Sequence, residues 1–137
     1  MIILITILWI VYICIEGYRE AWYFYNQVNN KNGIKKELHP IFTIQRITVF
    51  TLLLLIIKSI LWYKLLMITI ALTILSPFFH DGSYYYFRNK IDNAYPKGWL
   101  SQSTTSTAIT TKYLTPTIRI VGFVVGLSLI IFSLFSL

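Results

Sequence analysis

The sequence is poor in the groups that make a soluble domain. Asp and Glu together number 5 in 137 residues, and charged residues of both signs reach only 12%, against roughly a quarter in ordinary soluble chains. There is one cysteine, Cys14, which excludes an intrachain disulfide and any multi-cysteine metal site. No HExxH, paired-His helix, Glu-x-x-His or Gly-flanked serine elbow occurs, so the usual metal and nucleophile signatures are missing. No RNA- or DNA-binding motif accompanies the 12 Lys and Arg, which argues against nucleic acid as a partner. The N-terminus lacks a basic n-region and a small-residue cleavage site, so its apolar run reads as an uncleaved anchor and not as a signal peptide.

What is abundant is apolar: 56% of the residues are hydrophobic and 17% aromatic. Together with long uncharged runs this excludes disorder and predicts an all-α integral membrane protein, a single membrane domain over 1–137. Four transmembrane helices are expected, since about 20 residues at ~1.5 Å each cross the hydrocarbon layer. The first covers 2–25 and ends in the aromatic belt Trp22 to Tyr25. Asn26 to Gly33 is a polar turn. Pro40 is placed to open the second helix, 41–57. Lys58-Ser59 breaks the chain, and the third helix, 60–79, is ended by Pro77 and by His80-Asp81-Gly82. The fourth begins at Pro116 and covers 116–137. The third loop, 80–115, is expected to be cytoplasmic and to carry a short interfacial helix, with Tyr84, Phe87 and Ile91 at helical spacing.

The basic residues give the orientation. Ten of the 12 Lys and Arg fall on the side of the first and third loops, and only Lys58 and Lys64 on the other. Loops rich in Lys and Arg stay in the cytoplasm, so both termini are expected on the non-cytoplasmic side. A bacterial inner membrane or a virion membrane fits this pattern.

The most informative constellation is a layer of ionisable residues at one depth: Glu16, Arg19, Glu20, Arg46, His80, Asp81 and Arg119. Glu16, Arg19, Glu20 and Tyr23 share a helix face, which continues through Tyr12 and Trp9. Charges inside a membrane cost roughly 2.5–3.5 kcal/mol each on insertion scales and face the bundle interior. Three acids and three arginines can neutralise one another, so the layer reads first as interhelical glue. A divalent metal on His39, His80, Asp81, Glu16 and Glu20, or an acid/base pair of His80 and Asp81, are the functional alternatives. Neighbouring side chains on a helix do not face each other, so the His80–Asp81 adjacency gives the second no support.

Gly122 and Gly126 make a small-xxx-small pair on the face of Arg119, suited to packing inside the bundle. Thr69, Thr73, Ser76 and His80 form a weaker polar stripe on the third helix. Tyr84, Phe87, Arg88, Lys90 and Trp99 read as interface anchors toward headgroups. The Ser/Thr run from Ser101 to Thr111 reads as local capping of backbone groups.

The stretch Pro77-Phe78-Phe79-His80-Asp81-Gly82-Ser83-Tyr84-Tyr85, then Arg88-Asn89-Lys90, Tyr95-Pro96-Lys97-Gly98-Trp99 and Ser103-Thr104-Thr105-Ser106-Thr107-Ala108, resembles uncharacterised small membrane proteins of low-GC bacteria and their phages. The resemblance implies no activity. The functional expectation is a structural, assembly or accessory role, acting through helix packing and a basic, aromatic cytoplasmic face. Its partners would be the lipid bilayer, anionic lipids, and a protein partner or a second copy of the chain, with no cofactor. An oligomeric, holin-like pore and an interfacial lipid-active enzyme using the charged layer are the alternatives from other classes.

Overall fold

The computed structural model of the chain describes residues 1–29, 38–55, 61–102 and 113–135. Among these every regular element is a helix: α1 (Ile2–Asn29), α2 (Leu38–Leu55), α3 (Trp62–Ile91) and α4 (Pro116–Phe135). Three stretches are long and apolar enough to cross a membrane: Ile2–Asn26 of α1, Trp62–Ile91 and Pro116–Phe135. The Lys58-Ser59 break, most of the Ser101–Thr111 run and most of the first loop lie outside the described residues.

The third helix is the axis of the fold, packed along both α1 and α4. Trp9 of α1 donates its indole N–H to Ser76 Oγ (2.9 Å) and lies 3.3 Å from the Leu72 carbonyl. Further along, Gly17 meets His80 and Ser83, so α1 and α3 run parallel. Gly122 meets Ile74, and Gly126 meets Ala71 and Leu75, so α4 returns antiparallel. Ile5, Trp9 and Ile13 of α1, Ile68, Ala71, Leu72 and Leu75 of α3 and Ile130 of α4 form the core. The α1 members recur every four residues, which keeps them on one face of a 3.6-residue helix. The outward faces are as apolar as the core, with Ile3, Leu4, Ile7, Val121, Val124 and Phe132 all exposed. Long side chains link α2 to α1: Phe50 lies 4.6 Å from Trp9 and Phe42 lies 5.7 Å from Tyr23, centroid to centroid.

Three expectations are corrected. The first helix does not give way to a turn at Asn26 but runs on to Asn29. The third helix does not stop at Phe79. It continues through Pro77, His80, Asp81 and Gly82 to Ile91, so the separate interfacial helix expected at Tyr84–Ile91 is the last part of α3, and the loop 80–115 begins with ordered helix. An interior proline costs about 3 kcal/mol of helix stability, but the turns beyond it gain partners that offset the loss. Gly17 lets α1 approach the backbone at His80 and Tyr84, and Gly82 leaves room for the Trp99 indole. The second helix also begins earlier than Ile41, at Leu38, with Pro40 still inside the first turn, where a backbone N–H has no intrahelical acceptor.

After α3 the chain folds back on itself. The Asp92 N–H closes onto the Arg88 carbonyl (2.9 Å). Gly98 has φ +125°, a conformation that glycine adopts without a Cβ clash. It turns Trp99 onto α3, 6.1 Å from Phe78.

Candidate functional site: a charged layer across three helices

The expected ionic layer is assembled from α1, α2 and α3. On α1, Glu16, Arg19 and Glu20 project from one face at three- and four-residue spacing. Arg19 donates to Glu16 Oε2 (2.6 Å) and to Gln45 Oε1 of α2 (2.9 Å), and its guanidinium lies over the Phe42 ring, 4.6 Å from the centroid. Arg46, next to Gln45, donates to Glu20 Oε1 and, at 2.6 Å, faces His80 Nε2 of α3. Two consecutive residues of α2 therefore cross to two consecutive residues of α1. Gln45 was not anticipated; its only signal in the sequence is a second polar residue beside Arg46 in an apolar helix.

His80 is the junction of the layer. Its Nδ1 lies 2.9 Å from Asp81 Oδ1, and its Nε2 lies 3.4 Å from Glu20 Oε2. A guanidinium has no acceptor, so a hydrogen bond from Arg46 requires the lone pair of Nε2, which puts the imidazole proton on Nδ1, donated to Asp81. The ring is neutral in this arrangement. The contact with Asp81 corrects the expectation that adjacent side chains on a helix cannot meet: the imidazole folds back so that Nδ1, the nitrogen nearer the backbone, reaches the next carboxylate. The carboxylates Glu16 and Glu20 are buried, whereas the side chains of Arg19 and Arg46 are 40% and 26% exposed. Acids inside and long bases at the rim is the arrangement expected at the edge of an apolar medium.

Arg119 does not join the layer, contrary to expectation. It is buried, donates to the Ser101 carbonyl (2.6 Å), lies 3.4 Å from the Trp99 carbonyl, and stands 5.8 Å from the Tyr85 ring centroid. Carbonyls of the returning segment are the acceptors of its terminal nitrogens, while its buried Nε has no hydrogen-bond partner among the described residues.

The anchors expected to face headgroups also turn inward, with one exception. Arg88 is only 2% exposed. Its guanidinium lies 4.3 Å from the Tyr95 ring centroid and 5.1 Å from that of Tyr25, with Asp92 Oδ2 at 3.7 Å. Tyr84 packs on Phe24 and Phe87 on Tyr18, so the spacing that suggested an interfacial helix is a seam between α3 and α1. Trp99 is half-buried on Gly82. Lys90 remains exposed, 4.6 Å from the exposed Tyr86 ring. Gly122 and Gly126 face α3 of the same chain. In the polar stripe of α3, Thr69, Thr73 and Ser76 donate to the carbonyls four residues earlier.

Among the described residues no three His, Cys, Asp or Glu side chains gather to hold a metal ion; the His39 side chain lies outside them. No protein-family model, no curated protein and no solved structure matches the chain.

Proposed function

We propose that the chain is a small integral membrane protein of four spans with a structural, assembly or accessory role, and that its charged layer is a clasp between helices. The observation that carries this reading is Arg46 of α2, whose guanidinium reaches both Glu20 of α1 and His80 of α3. Each carboxylate of the layer is engaged by a guanidinium or an imidazole, as interhelical glue requires. The apolar outer faces suit lipid, and α2, with 18 residues or about 27 Å of helix, is the fourth span.

Depth supports the same reading. Counting about 20 residues across the hydrocarbon from Ile2 reaches Ala21, and from Trp62 reaches Asp81. Both counts end at the charged layer, which supports a position at the membrane boundary, and the excess of Lys and Arg favours the cytoplasmic side for it. The ends of α1 and α3 then stand beyond the hydrocarbon as a pair. Their exposed rim of Tyr18, Trp22, Tyr86 and Lys90 suits anionic headgroups, at about 1 kcal/mol per basic residue near the surface. A protein partner or a second copy of the chain is the expected companion. A membrane of a low-GC bacterium or of its phage is the proposed setting.

One observation favours a second reading. The His80–Asp81 hydrogen bond is the geometry by which a carboxylate orients a general base, which keeps an interfacial lipid-active enzyme as the alternative. The pore reading draws less support, because the hydroxyls of α3 turn to their own backbone.

The clasp is tested by a double-mutant cycle. Arg46→Ala should lower the unfolding temperature in detergent, and Glu20→Gln in that background should restore part of it, because breaking a buried pair strands the partner, at about 3–5 kcal/mol when fully buried and less here, where Arg46 is partly exposed. Additive losses would remove the clasp. Single cysteines at Trp62 and Tyr113, in a Cys14→Ser background, should be labelled from outside and from the cytoplasm respectively; the reverse pattern would overturn the orientation. Purification in mild detergent should yield a stoichiometric partner or a homo-oligomer. A monomer that hydrolyses lipid, or that passes ions in liposomes, would replace the accessory role.

A further inference from the structure

The layer has one acid more than it has bases among its described side chains. Glu16 pairs with Arg19, Glu20 with Arg46 and Asp81 with His80, and His80 carries no charge while Nε2 presents its lone pair to Arg46. A net negative charge at the edge of a low-dielectric medium is unfavourable, so a cation can leave the layer only if a proton replaces its charge. The atom placed to take that proton is His80 Nε2, which faces a donor, Arg46 Nη2, at 2.6 Å and an acceptor, Glu20 Oε2, at 3.4 Å. A lone pair on Nε2 serves the first and an N–H serves the second. The nitrogen cannot serve both.

We infer that the layer is a proton-binding site at which His80 and Arg46 exchange as the partner of Glu20. With Nε2 unprotonated, Arg46 bridges Glu20 and His80 and ties α2 to α1 and α3. When Nε2 gains a proton, Nδ1–H keeps Asp81, Nε2–H takes Glu20, and the two cations repel. The guanidinium of Arg46 leaves. It is already 26% exposed, its Nε has no partner, and an arginine at the boundary reaches headgroup phosphates without moving its helix far. An ion pair between α1 and α2 becomes one between α1 and α3.

The charged and titratable groups at this level among the described side chains come from each helix in turn. From α1 come Glu16, Arg19 and Glu20, with Tyr12 and Cys14 one turn or less before; from α2 comes Arg46; from α3 comes Asp81. On α4, Arg119 is held by carbonyls beside Tyr85, about 140° around α3 from His80. The described links that remain to α2 after the exchange are Arg19 to Gln45, Phe42 to Tyr23 and Phe24, and Phe50 to Trp9. Proton uptake therefore loosens α2 and leaves the α1–α3 seam intact.

The inference rests on the clasp reading, and the test separates the two. The full chain is placed in nanodiscs of zwitterionic and anionic lipid. In a His39→Asn background, with ¹⁵N-labelled histidine, the protonation of His80 is read by NMR between about pH 8 and about pH 5, on either side of the ordinary imidazole range. The unfolding temperature is then compared for Arg46→Ala and its parent at both values. The expected result is a proton gained on Nε2, together with an Arg46→Ala loss of about 5 °C or more at the higher pH that falls within error at the lower. With His80→Asn added, the loss should be the same at both. If Arg46→Ala does not fold at the higher pH, folding restored at the lower is the expected outcome. A histidine that gains the proton while the Arg46→Ala loss stays constant overturns the exchange and leaves the clasp standing. A histidine that keeps one protonation state throughout overturns the proton site. No loss at the higher pH overturns the clasp and the exchange together.

Discussion

At Gly17 the first helix approaches the backbone of α3 closely, and Gly17→Ala tests the packing of the two. A Cβ at this position overlaps Ser83 Oγ and the His80 carbonyl oxygen and lies 3.0 Å from the Tyr84 nitrogen. In a helix free of neighbours the substitution would stabilise by about 0.8–1 kcal/mol, so the sign of the result decides. Serine can rotate away, but a carbonyl in the backbone of α3 cannot, and the helices must part. Overpacking of this kind costs about 1–3 kcal/mol. Parting the helices also stretches the reach of His80 to Glu20, which lies one turn along α1. The net effect should be a fall in unfolding temperature on the order of 5–10 °C. Cys14 is the only thiol in the chain and is half-buried, so a thiol-reactive fluorophore reports the transition directly. Ser83→Ala in the same background should recover part of the loss, because the carbonyl contact remains. Gly126→Ala should cost less, since its Cβ would lie 2.7 Å from Leu75 Cγ and 2.9 Å from the Ala71 carbonyl oxygen, a milder overlap than that with Ser83 Oγ and the His80 carbonyl oxygen at Gly17. A Gly17→Ala protein as stable as its parent, or more so, would refute the close approach of α1 and α3.

Substitutions at two other places probe separate contacts. Arg88→Glu and Lys90→Glu should part company: the first removes a cation enclosed by two tyrosine rings and should cost about 1–3 kcal/mol, whereas the second should leave unfolding unchanged and weaken flotation with anionic vesicles. Equal effects on stability would contradict the burial of Arg88. Trp9→Phe removes the donor to Ser76 and Leu72 and should cost about 1–2 kcal/mol in chemical denaturation. After Ser76→Ala the same change should cost less, and equal costs in both backgrounds would mean that the indole bond contributes nothing.

The helical class and the apolar runs were legible because an uncharged stretch of membrane-spanning length has few alternatives. The inward face of α1 was legible too, since Trp9, Glu16 and Glu20 follow the helical repeat. The continuation of α3 was not. Pro77 and Gly82 are breakers by local rule, and what overrides them is contact with Gly17 and Trp99, which lie 60 and 17 residues away in the sequence. Arg88 misled for a related reason. A basic residue among tyrosines has the same composition whether the rings face lipid or enclose the cation, and only the return of Tyr95 distinguishes the two. His80 and Asp81 were legible as members of the layer but not as a bonded pair, because helix geometry positions their Cα–Cβ bonds and leaves the side-chain torsions open.

The parallel packing of α1 on α3 also sets a timetable. The first helix finds its main partner in a segment made much later, with Trp9 and Ser76 separated by 67 positions. At about 5–20 residues per second of synthesis, Trp9 waits on the order of 3–13 s for its acceptor. Glu16 has Arg19 at once, within the same turn. Glu20 must wait for Arg46, 26 positions on, or about 1–5 s. During that interval its charge is held by headgroups, water or the insertion machinery. A ribosome pause after Arg46 but before α3 would leave two helices joined at Glu20 with the surface meant for α3 still open. That is the moment at which another protein could most readily take α3's place.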